Sequence, residues 1–211
     1  NFNLRRIERY LSQAGESGAL PVILLNKADL CPDVAAKTAA AAAVAGGVAV
    51  HAISAMQGGG LGPVGGYLKT GRTAAFLGSS GVGKSTIINA LLGAGRLETN
   101  EVSELGSRGR HTTTFRELIL LPGGGMVIDT PGMRELQVWG GGETVDRAFG
   151  DIEELAAACR FRDCRHEDEP GCAVRAAAEN GLLDSERYGN FLKLKRESAY
   201  LESRLTMSPA R

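Results

Sequence analysis

The chain has 211 residues, 43% of them hydrophobic and 23% charged, which suits one globular domain with a small appendage. Lysine plus arginine and aspartate plus glutamate number 24 each, so the overall charge favours neither a nucleic-acid nor a membrane partner. No apolar run approaches the roughly 20 residues that a membrane helix requires, and we expect no contact with a membrane.

The first half of the chain alternates between helical and strand-like patterns. Apolar residues with helical spacing predict a helix over residues 2–14, and Asp33 can cap a second helix that runs to about Val44. Short continuous apolar runs are typical of buried parallel strands, and they occur at residues 20–25, 47–54 and 72–78. The glycine-rich stretch 56–71 predicts a flexible connector with one short helix near its end.

The second half begins with a predicted helix that ends at Gly93 and an aperiodic stretch, residues 95–113, that we expect to be a mobile loop. Two further strands are predicted on either side of a glycine-rich turn, and the chain becomes largely helical after Pro131. This alternation predicts an α/β fold with a mostly parallel sheet. We place a first domain at residues 1–143 and a helical second domain at residues 144–211.

Residues 78–85 read GSSGVGKS and match G-x-x-x-x-G-K-[ST] at every defined position, between a predicted strand and a predicted helix. Glycines let the backbone N–H groups surround an anion, and the helix adds its positive N-terminal end. Lys84 would neutralise the β- and γ-phosphates, and the Ser85 hydroxyl would bind Mg²⁺. The predicted phosphate-binding residues are Gly78, Ser79, Ser80, Gly81, Val82, Gly83, Lys84, Ser85 and Thr86.

The sequence VIDTPG places Asp129 at the end of a predicted strand, where a carboxylate commonly holds the Mg²⁺ of a nucleotide, directly or through water. The Gly132 N–H is well placed to contact a γ-phosphate. A threonine in the preceding loop can complete the Mg²⁺ shell, and of the three in HTTT we prefer Thr113. The alternative for each threonine is an ordinary position at the entry to a strand.

The sequence NKAD, residues 26–29, matches the N-K-x-D pattern that reads guanine and follows an apolar strand. Asp29 would accept hydrogen bonds from the N1–H and the exocyclic amine of guanine, a pair of donors that adenine lacks. Asn26 would support the base edge and tie this loop to the phosphate loop, while the Lys27 stem would lie over the base. After the next strand, Ser54 and Ala55 would present a backbone N–H to the guanine O6.

These motifs form a complete guanine-nucleotide site in an unusual order, with the base-reading half before the phosphate-binding half. A sheet tolerates such reordering as long as its connections stay short and right-handed. We therefore predict a circularly permuted arrangement in which one nucleotide spans both halves.

Four candidate metal ligands crowd into fourteen residues, in the pattern Cys159-x₄-Cys164-x-His166-x₅-Cys172. Three thiolates and one imidazole suit tetrahedral Zn²⁺ in a structural site, because no position remains for water. Such clustering favours a metal site in a reducing compartment over a disulfide framework, and we expect a cytoplasmic protein. Cys31 lies outside this cluster in the sequence, and we interpret it as a core or surface residue without a role in metal binding.

The motifs NKADL, ISA, GSSGVGKST, GRHTTT and DTPGMREL, with the cysteine cluster, closely resemble the circularly permuted, small-ribosomal-subunit-dependent GTPase family of the RsgA/YjeQ type. The resemblance covers almost the whole chain and implies a three-layer P-loop GTPase fold with a zinc-binding helical subdomain. The spacing of the three cysteines and the histidine agrees, ligand for ligand, with the family's zinc-binding pattern. The family's N-terminal OB-fold domain has no counterpart here, and because the chain begins at Asn1 we expect that a preceding part is missing.

The resemblance implies GTP hydrolysis by a monomeric maturation factor of the small (30S) ribosomal subunit, stimulated by that subunit and contacting its rRNA. Met133 stands where many GTPases place a water-orienting glutamine, so slow intrinsic turnover is expected. His111 is the nearest candidate to orient water, and an exposed loop histidine is the equally weighted alternative. The arginines and lysines of the cysteine-rich loop and the last helix could contact RNA phosphates, although a solvated surface is the simpler interpretation for each.

Three rival functions stay open. A GTPase of the large ribosomal subunit shares the permuted order, but that group lacks the zinc cluster. A GTP-binding checkpoint protein with negligible turnover is compatible with Met133. An ATP-using P-loop enzyme would require that NKAD does not read guanine.

Overall fold

The computed structural model describes residues 2–93, 117–129 and 142–207. Helices and strands alternate in the first of these ranges, the second contains two strands, and the third contains only helices. In chain order the elements are α1 (Leu4–Glu16), β1 (Ile23–Leu25), α2 (Val34–Val44), β2 (Val50–Ala52), α3 (Leu61–Tyr67), β3 (Thr73–Ala75), α4 (Lys84–Leu92), β4 (Glu117–Leu120), β5 (Met126–Asp129), α5 (Gly142–Ala148), α6 (Gly150–Ala156), α7 (Ala173–Glu179) and α8 (Ser185–Met207).

The described strands are three or four residues long and form two ladders. In the first, β1 pairs with β2 in parallel. In the second, β5 lies between β3 and β4, parallel to β3 and antiparallel to β4. Parallel pairing within the expected α/β fold is therefore confirmed, with a β4–β5 hairpin at one edge.

By its contacts the chain divides into two compact units. The first contains the described residues 23–38, 50–93 and 117–129, and all five strands belong to it. Its apolar core includes Ile53 from the end of β2, Ile88 from α4 and Val127 from β5, each at most 1% exposed. This core packs α4 against the sheet. It thereby positions the first turn of α4, which directly follows the predicted phosphate-binding loop.

The glycine-rich stretch before β3 includes the short helix that the sequence predicts. It contains α3, whose Val64 is buried in the core of the first unit together with the adjacent Leu68. An isolated β-bridge pairs Ser54 with Gly59 before the helix, and a second pairs Lys69 with Gly124 after it. Two apolar side chains anchor this segment in the core although glycines dominate its local pattern, and the flexibility expected of it stays a prediction.

The second unit contains the described residues 2–22, 39–49 and 142–207. The rings of Phe149 and Phe191, both fully buried, lie 5.4 Å apart between centroids and form the centre of its core. Helix α1 packs against α5 and α8, so this unit takes in the first helix of the chain. The predicted division at residues 143 and 144 stays a prediction about the chain's domains.

A buried group of charges ties α1 to the later helices of the second unit. The Glu8 carboxylate is fully buried and accepts hydrogen bonds from Arg5, Arg187 and Asn190 at 2.6–2.7 Å. Arg187 also donates two hydrogen bonds to Asp151 and lies over the Phe149 ring, 4.5 Å from its centroid. A buried carboxylate is tolerated only with such pairing, so Glu8 fixes the position of α1.

None of the helices within the described ranges has both the length and the apolar character that crossing a bilayer requires.

Glu8→Gln should destabilise the second unit by about 3 kcal/mol, because it removes one partner of a buried ion pair and leaves Arg187 short of charge compensation. The measurement is the thermal unfolding midpoint followed by circular dichroism. Glu186→Gln is the matched control, since Glu186 is 85% exposed and its carboxylate is 3.8 Å from the Arg5 Nε. Equal midpoints for the two variants would contradict the role of Glu8.

Candidate functional site

The candidate base-reading loop follows β1 directly. Lys27 adopts the left-handed conformation, with φ 68°, and this turn starts a short 3₁₀ helix, Ala28–Leu30, that carries Asp29. The Ala28 N–H donates to the Ile53 carbonyl at 3.0 Å, so the end of β2 holds the loop. The Asp29 side chain is exposed and free to meet a ligand from solvent.

Asn26 joins this loop to the two other loops that the sequence assigns to the nucleotide. Its Nδ2 donates to the Val82 carbonyl at 3.0 Å, and its Oδ1 accepts from the Ala55 N–H at 3.1 Å. Next to it, the Lys27 Nζ donates to the Gly81 carbonyl at 3.0 Å. The structure therefore brings the two halves of the predicted site together although more than fifty residues separate them in the chain.

Gly83 lies where the Asn26 side chain packs on the phosphate loop. Its φ is +97°, and a Cβ built on it would lie 2.3 Å from the Asn26 Nδ2. Any other residue would both strain the backbone and displace the Asn26 amide. Packing on the loop that carries Asn26 thus requires a glycine at this position of the motif, independently of the predicted phosphate binding.

The phosphate loop runs from Gly78 to Gly83 and leads into α4, whose first residue is Lys84. Lys84 Nζ donates to the carbonyls of Gly78 and Ser79, at 3.0 and 3.3 Å. Burial lowers the pKa of the Lys84 ammonium, and the negative charge of Asp129 partly offsets that effect. Ser85 and Thr86 follow in the first turn of α4, so a cation, two hydroxyls and a helix N-terminus meet at one loop.

Asp129 is the last residue of β5, and its carboxylate is 1% exposed. Its negative charge acts on the Lys84 ammonium, whose pKa it raises. His111, Thr113 and Gly132 lie outside the described residues, so their roles stay predictions, as does the mobility expected of residues 95–113.

The Ala55 backbone N–H, which the sequence pattern predicts as a donor to the guanine O6, already donates a hydrogen bond within the protein. The Ala55 N–H is bonded to Asn26, and Ser54 is 5% exposed, with its Oγ accepting from the Gln57 N–H. A base bound beside Asp29 would have to share the Ala55 amide with Asn26. The sequence pattern does not indicate this competition, because the competition depends on the position of the Asn26 side chain, 29 residues earlier in the chain.

The four candidate metal ligands of the second unit come together. The ligand atoms of Cys159, Cys164, His166 and Cys172 all lie within 4.8 Å of one another. The His166 Nδ1 is 3.5 Å from both the Cys159 and the Cys172 sulfur, and these two sulfurs are 4.0 Å apart.

These distances fit the chemistry of a tetrahedral zinc site. With Zn–S bonds of about 2.3 Å, an ideal tetrahedron separates two sulfurs by about 3.8 Å, close to the spacing found here. Backbone N–H groups of Ala173 and Arg175 donate to the Cys159 and Cys172 sulfurs, both at 3.3 Å, and such donors stabilise thiolates. Burial lowers the pKa of His166, which favours the neutral imidazole that binds metals.

One supporting residue of this cluster was missed by sequence reasoning. The Tyr188 hydroxyl, on α8, donates to the carbonyl of His166, a residue in the left-handed conformation with φ 64°. This contact fixes the backbone that presents the imidazole. A tyrosine on a charged helix carries no sequence signal for the role, since the contact depends on how α8 packs on the cysteine-rich loop.

Residues 1–139 match the protein family described as RsgA GTPase. The curated protein "Small ribosomal subunit biogenesis GTPase RsgA 2" of Lactiplantibacillus plantarum is 54% identical over 200 residues, which are 95% of this chain and 56% of that protein. The chain thus spans just over half the length of such relatives.

Two solved structures are similar to the chain. YjeQ from Thermotoga maritima has a TM-score of 0.66 at 30% identity, over 93% of this chain and 66% of that one. YloQ, described as a circularly permuted GTPase, has a TM-score of 0.63 at 26% identity, over 100% of this chain and 66% of its own. The P-loop fold with permuted strand order is therefore confirmed. A family match across most of the chain, together with a half-identical relative over nearly all of it, establishes that the chain belongs to the RsgA GTPase family.

Proposed function

We propose that the protein hydrolyses GTP to GDP and phosphate and acts in the maturation of the small ribosomal subunit, which stimulates its turnover. The observation that carries the proposal is the contact of the two loops through Asn26, whose amide reaches Val82 and Ala55 at once. One ligand with a guanine at one end and phosphates at the other suits that joined pair of loops. The relative from Lactiplantibacillus plantarum is named for the same role.

In this proposal Asp29 accepts from the guanine N1–H and exocyclic amine, and the Lys27 stem lies over the base. The N–H groups of the loop from Gly78 to Gly83 bind the phosphates, with Lys84 neutralising their charge. Mg²⁺ would be held by Ser85, Asp129 and Thr113, and it would add positive charge beside the β- and γ-phosphates. Hard oxygen ligands of this kind fit that ion.

Rate acceleration would come from positioning and charge neutralisation, since phosphoryl transfer to water needs little covalent chemistry from the protein. On binding, the Lys84 ammonium would exchange the Gly78 and Ser79 carbonyls for phosphate oxygens. His111 would orient the attacking water, because Met133 offers no hydrogen bond at the position that commonly does so.

We further propose that Cys159, Cys164, His166 and Cys172 hold one structural Zn²⁺. These four ligands would complete the tetrahedral coordination of the metal and leave no position for water. The distances within the cluster support this assignment. The metal would fix the loop between α6 and α7 on the core around Phe191. In the same proposal the protein is a cytoplasmic monomer that contacts the small subunit's rRNA.

Single-turnover release of phosphate from GTP should be slow for the protein alone and at least about tenfold faster with small ribosomal subunits. Lys84→Ala should abolish both rates, because the β- and γ-phosphates lose their cation. Absence of stimulation by small subunits, or equal stimulation by large subunits, would contradict the proposed role.

Asp29→Asn should weaken binding of GDP by about 100-fold and admit xanthosine diphosphate, because the carboxamide can donate to the oxygen that replaces the exocyclic amine. The measurement is competition against a fluorescent nucleotide. Asp33→Asn, exposed and four residues farther along, is the matched control and should leave base preference unchanged. An unchanged preference in the Asp29 variant would rule out its base-reading role.

The purified protein should contain one zinc per chain by elemental analysis, and Cys164→Ser should lose it together with several degrees of thermal stability. Cys31→Ser is the matched control, since Cys31 is in the other compact unit and should retain the metal. A zinc-free protein with an unchanged unfolding midpoint would show that the cluster needs no metal.

A further inference from the structure

Two sulfurs of the cysteine cluster lie next to each other. The Cys159 and Cys172 sulfurs are 4.0 Å apart, and a disulfide holds two sulfurs at about 2.05 Å, so a movement of about 2 Å would join them. Cys159 is half-buried, whereas Cys172 is only 4% exposed. A small oxidant from solvent can therefore reach Cys159 first, with the Cys172 thiol close behind it.

The backbone beside these two cysteines is already paired. The Arg160 N–H donates to the Gly171 carbonyl at 3.1 Å, so the residue after Cys159 is bonded to the residue before Cys172. Gly171 has φ +77°, and a Cβ on it would lie 3.1 Å from the Arg160 Cβ, so a side chain there would crowd Arg160. These contacts involve no metal ligand atom. They keep the two chain segments side by side, and closure of a disulfide between them requires little backbone movement.

Both sulfurs also accept backbone hydrogen bonds. The Ala173 N–H donates to the Cys159 sulfur and the Arg175 N–H donates to the Cys172 sulfur, both at 3.3 Å. Such donors stabilise a thiolate, which is the form of cysteine that attacks an oxidant. The surroundings of the pair therefore favour the reactive form of both cysteines.

Cys164 is placed differently. It lies in the middle of the loop, where the Arg165 and Glu167 N–H groups donate to the Glu169 carboxylate, both at 3.0 Å. Between described residues, no backbone-to-backbone hydrogen bond joins this middle part of the loop to the Cys159 segment or to the Cys172 segment. We therefore expect oxidation to pair Cys159 with Cys172 and to leave Cys164 as a thiol.

We propose that Cys159 and Cys172 are an oxidation site, at which a peroxide forms a disulfide and thereby dismantles the four-ligand cluster. The proposal rests on the proposed function, since these cysteines are two of the four ligands that we assign to the structural zinc. The disulfide leaves Cys164 and His166 as the remaining ligands, and two ligands are too few for a closed tetrahedral site. Oxidation would thus release the metal from the loop.

The proposed reaction has two steps and consumes one peroxide. The Cys159 thiolate attacks a peroxide oxygen, the O–O bond breaks, and hydroxide leaves, which gives a sulfenic acid. The Cys172 thiolate then attacks the sulfenic sulfur, and a second hydroxide leaves as the S–O bond breaks and the S–S bond forms. The thiolates lose two electrons in total, and the peroxide is reduced to two hydroxides, which take up protons to become water. Because the product is a disulfide, a dithiol can reverse the reaction.

The test treats the full, zinc-loaded chain with hydrogen peroxide at neutral pH. Disulfides are mapped by mass spectrometry, and a chromogenic chelator follows the zinc. The expected product is a Cys159–Cys172 disulfide, with about one zinc released per disulfide. A dithiol followed by zinc should restore the metal content and the thermal unfolding midpoint. A disulfide that involves Cys164 as the main product, or zinc release without a disulfide, would overturn the proposal.

Two variants sharpen the assignment. Cys164→Ser keeps the proposed pair and should form the Cys159–Cys172 disulfide at least as fast as the parent, because fewer ligands hold the metal on the two sulfurs. Cys31→Ser is the matched control, since Cys31 is in the other compact unit, and it should leave the disulfide and the zinc release unchanged. Resistance of Cys164→Ser to peroxide would contradict the pairing. Mapping of the unsubstituted chain decides the pairing if this variant does not fold.

Zinc content before oxidation separates this inference from the proposed function. A zinc-loaded chain whose Cys159 and Cys172 stay reduced in peroxide would overturn the oxidation site alone. A chain that is purified without zinc and still forms the disulfide would overturn the proposed zinc site alone. Absence of GTP turnover in a chain that releases zinc on oxidation would overturn the proposed hydrolysis alone.

Discussion

The candidate nucleotide site depends on one side-chain amide. Asn26 donates to the phosphate loop at Val82 and accepts from Ala55, so three loops from distant parts of the chain meet at a single residue. Gly83 makes the approach possible, because a Cβ there would overlap the Asn26 nitrogen. The same contact occupies the Ala55 amide, so in the proposed site recognition of the base would be coupled to the position of the phosphate loop.

The second unit is stabilised by polar contacts around a small aromatic core. Glu8 and Arg187 fix α1, and the cluster of Cys159, Cys164, His166 and Cys172 fixes the loop that precedes α7. The Glu8–Arg187 pair joins segments that are far apart in sequence, whereas the cluster lies within fourteen residues, and both involve groups that are costly to bury unless they are compensated. Tyr188 adds a contact from α8 to the backbone of His166.

The parts of the structure that could be predicted from the sequence are those that depend on local spacing. The turn into α4, the loop at Asn26 and the cysteine cluster each follow from residue types at fixed intervals, since backbone geometry alone dictates them. The burial of α3, the grouping of α1 with later helices and the pairing of Glu8 with Arg187 could not be predicted, because partners more than a hundred residues away or on another element decide them. The hydrogen bond of the Ala55 amide could not be predicted either, since its acceptor is the Asn26 side chain of another loop.

In the function proposed here one guanine nucleotide spans the joined loops, with its base at Asp29 and its phosphates at Lys84. The most direct measurement is a crystal structure of the protein with GDP. We expect the guanine N1 and exocyclic amine within hydrogen-bond distance of the Asp29 carboxylate and the β-phosphate inside the loop from Gly78 to Gly83. A nucleotide whose phosphates occupy that loop while its base points away from Asp29 would contradict it.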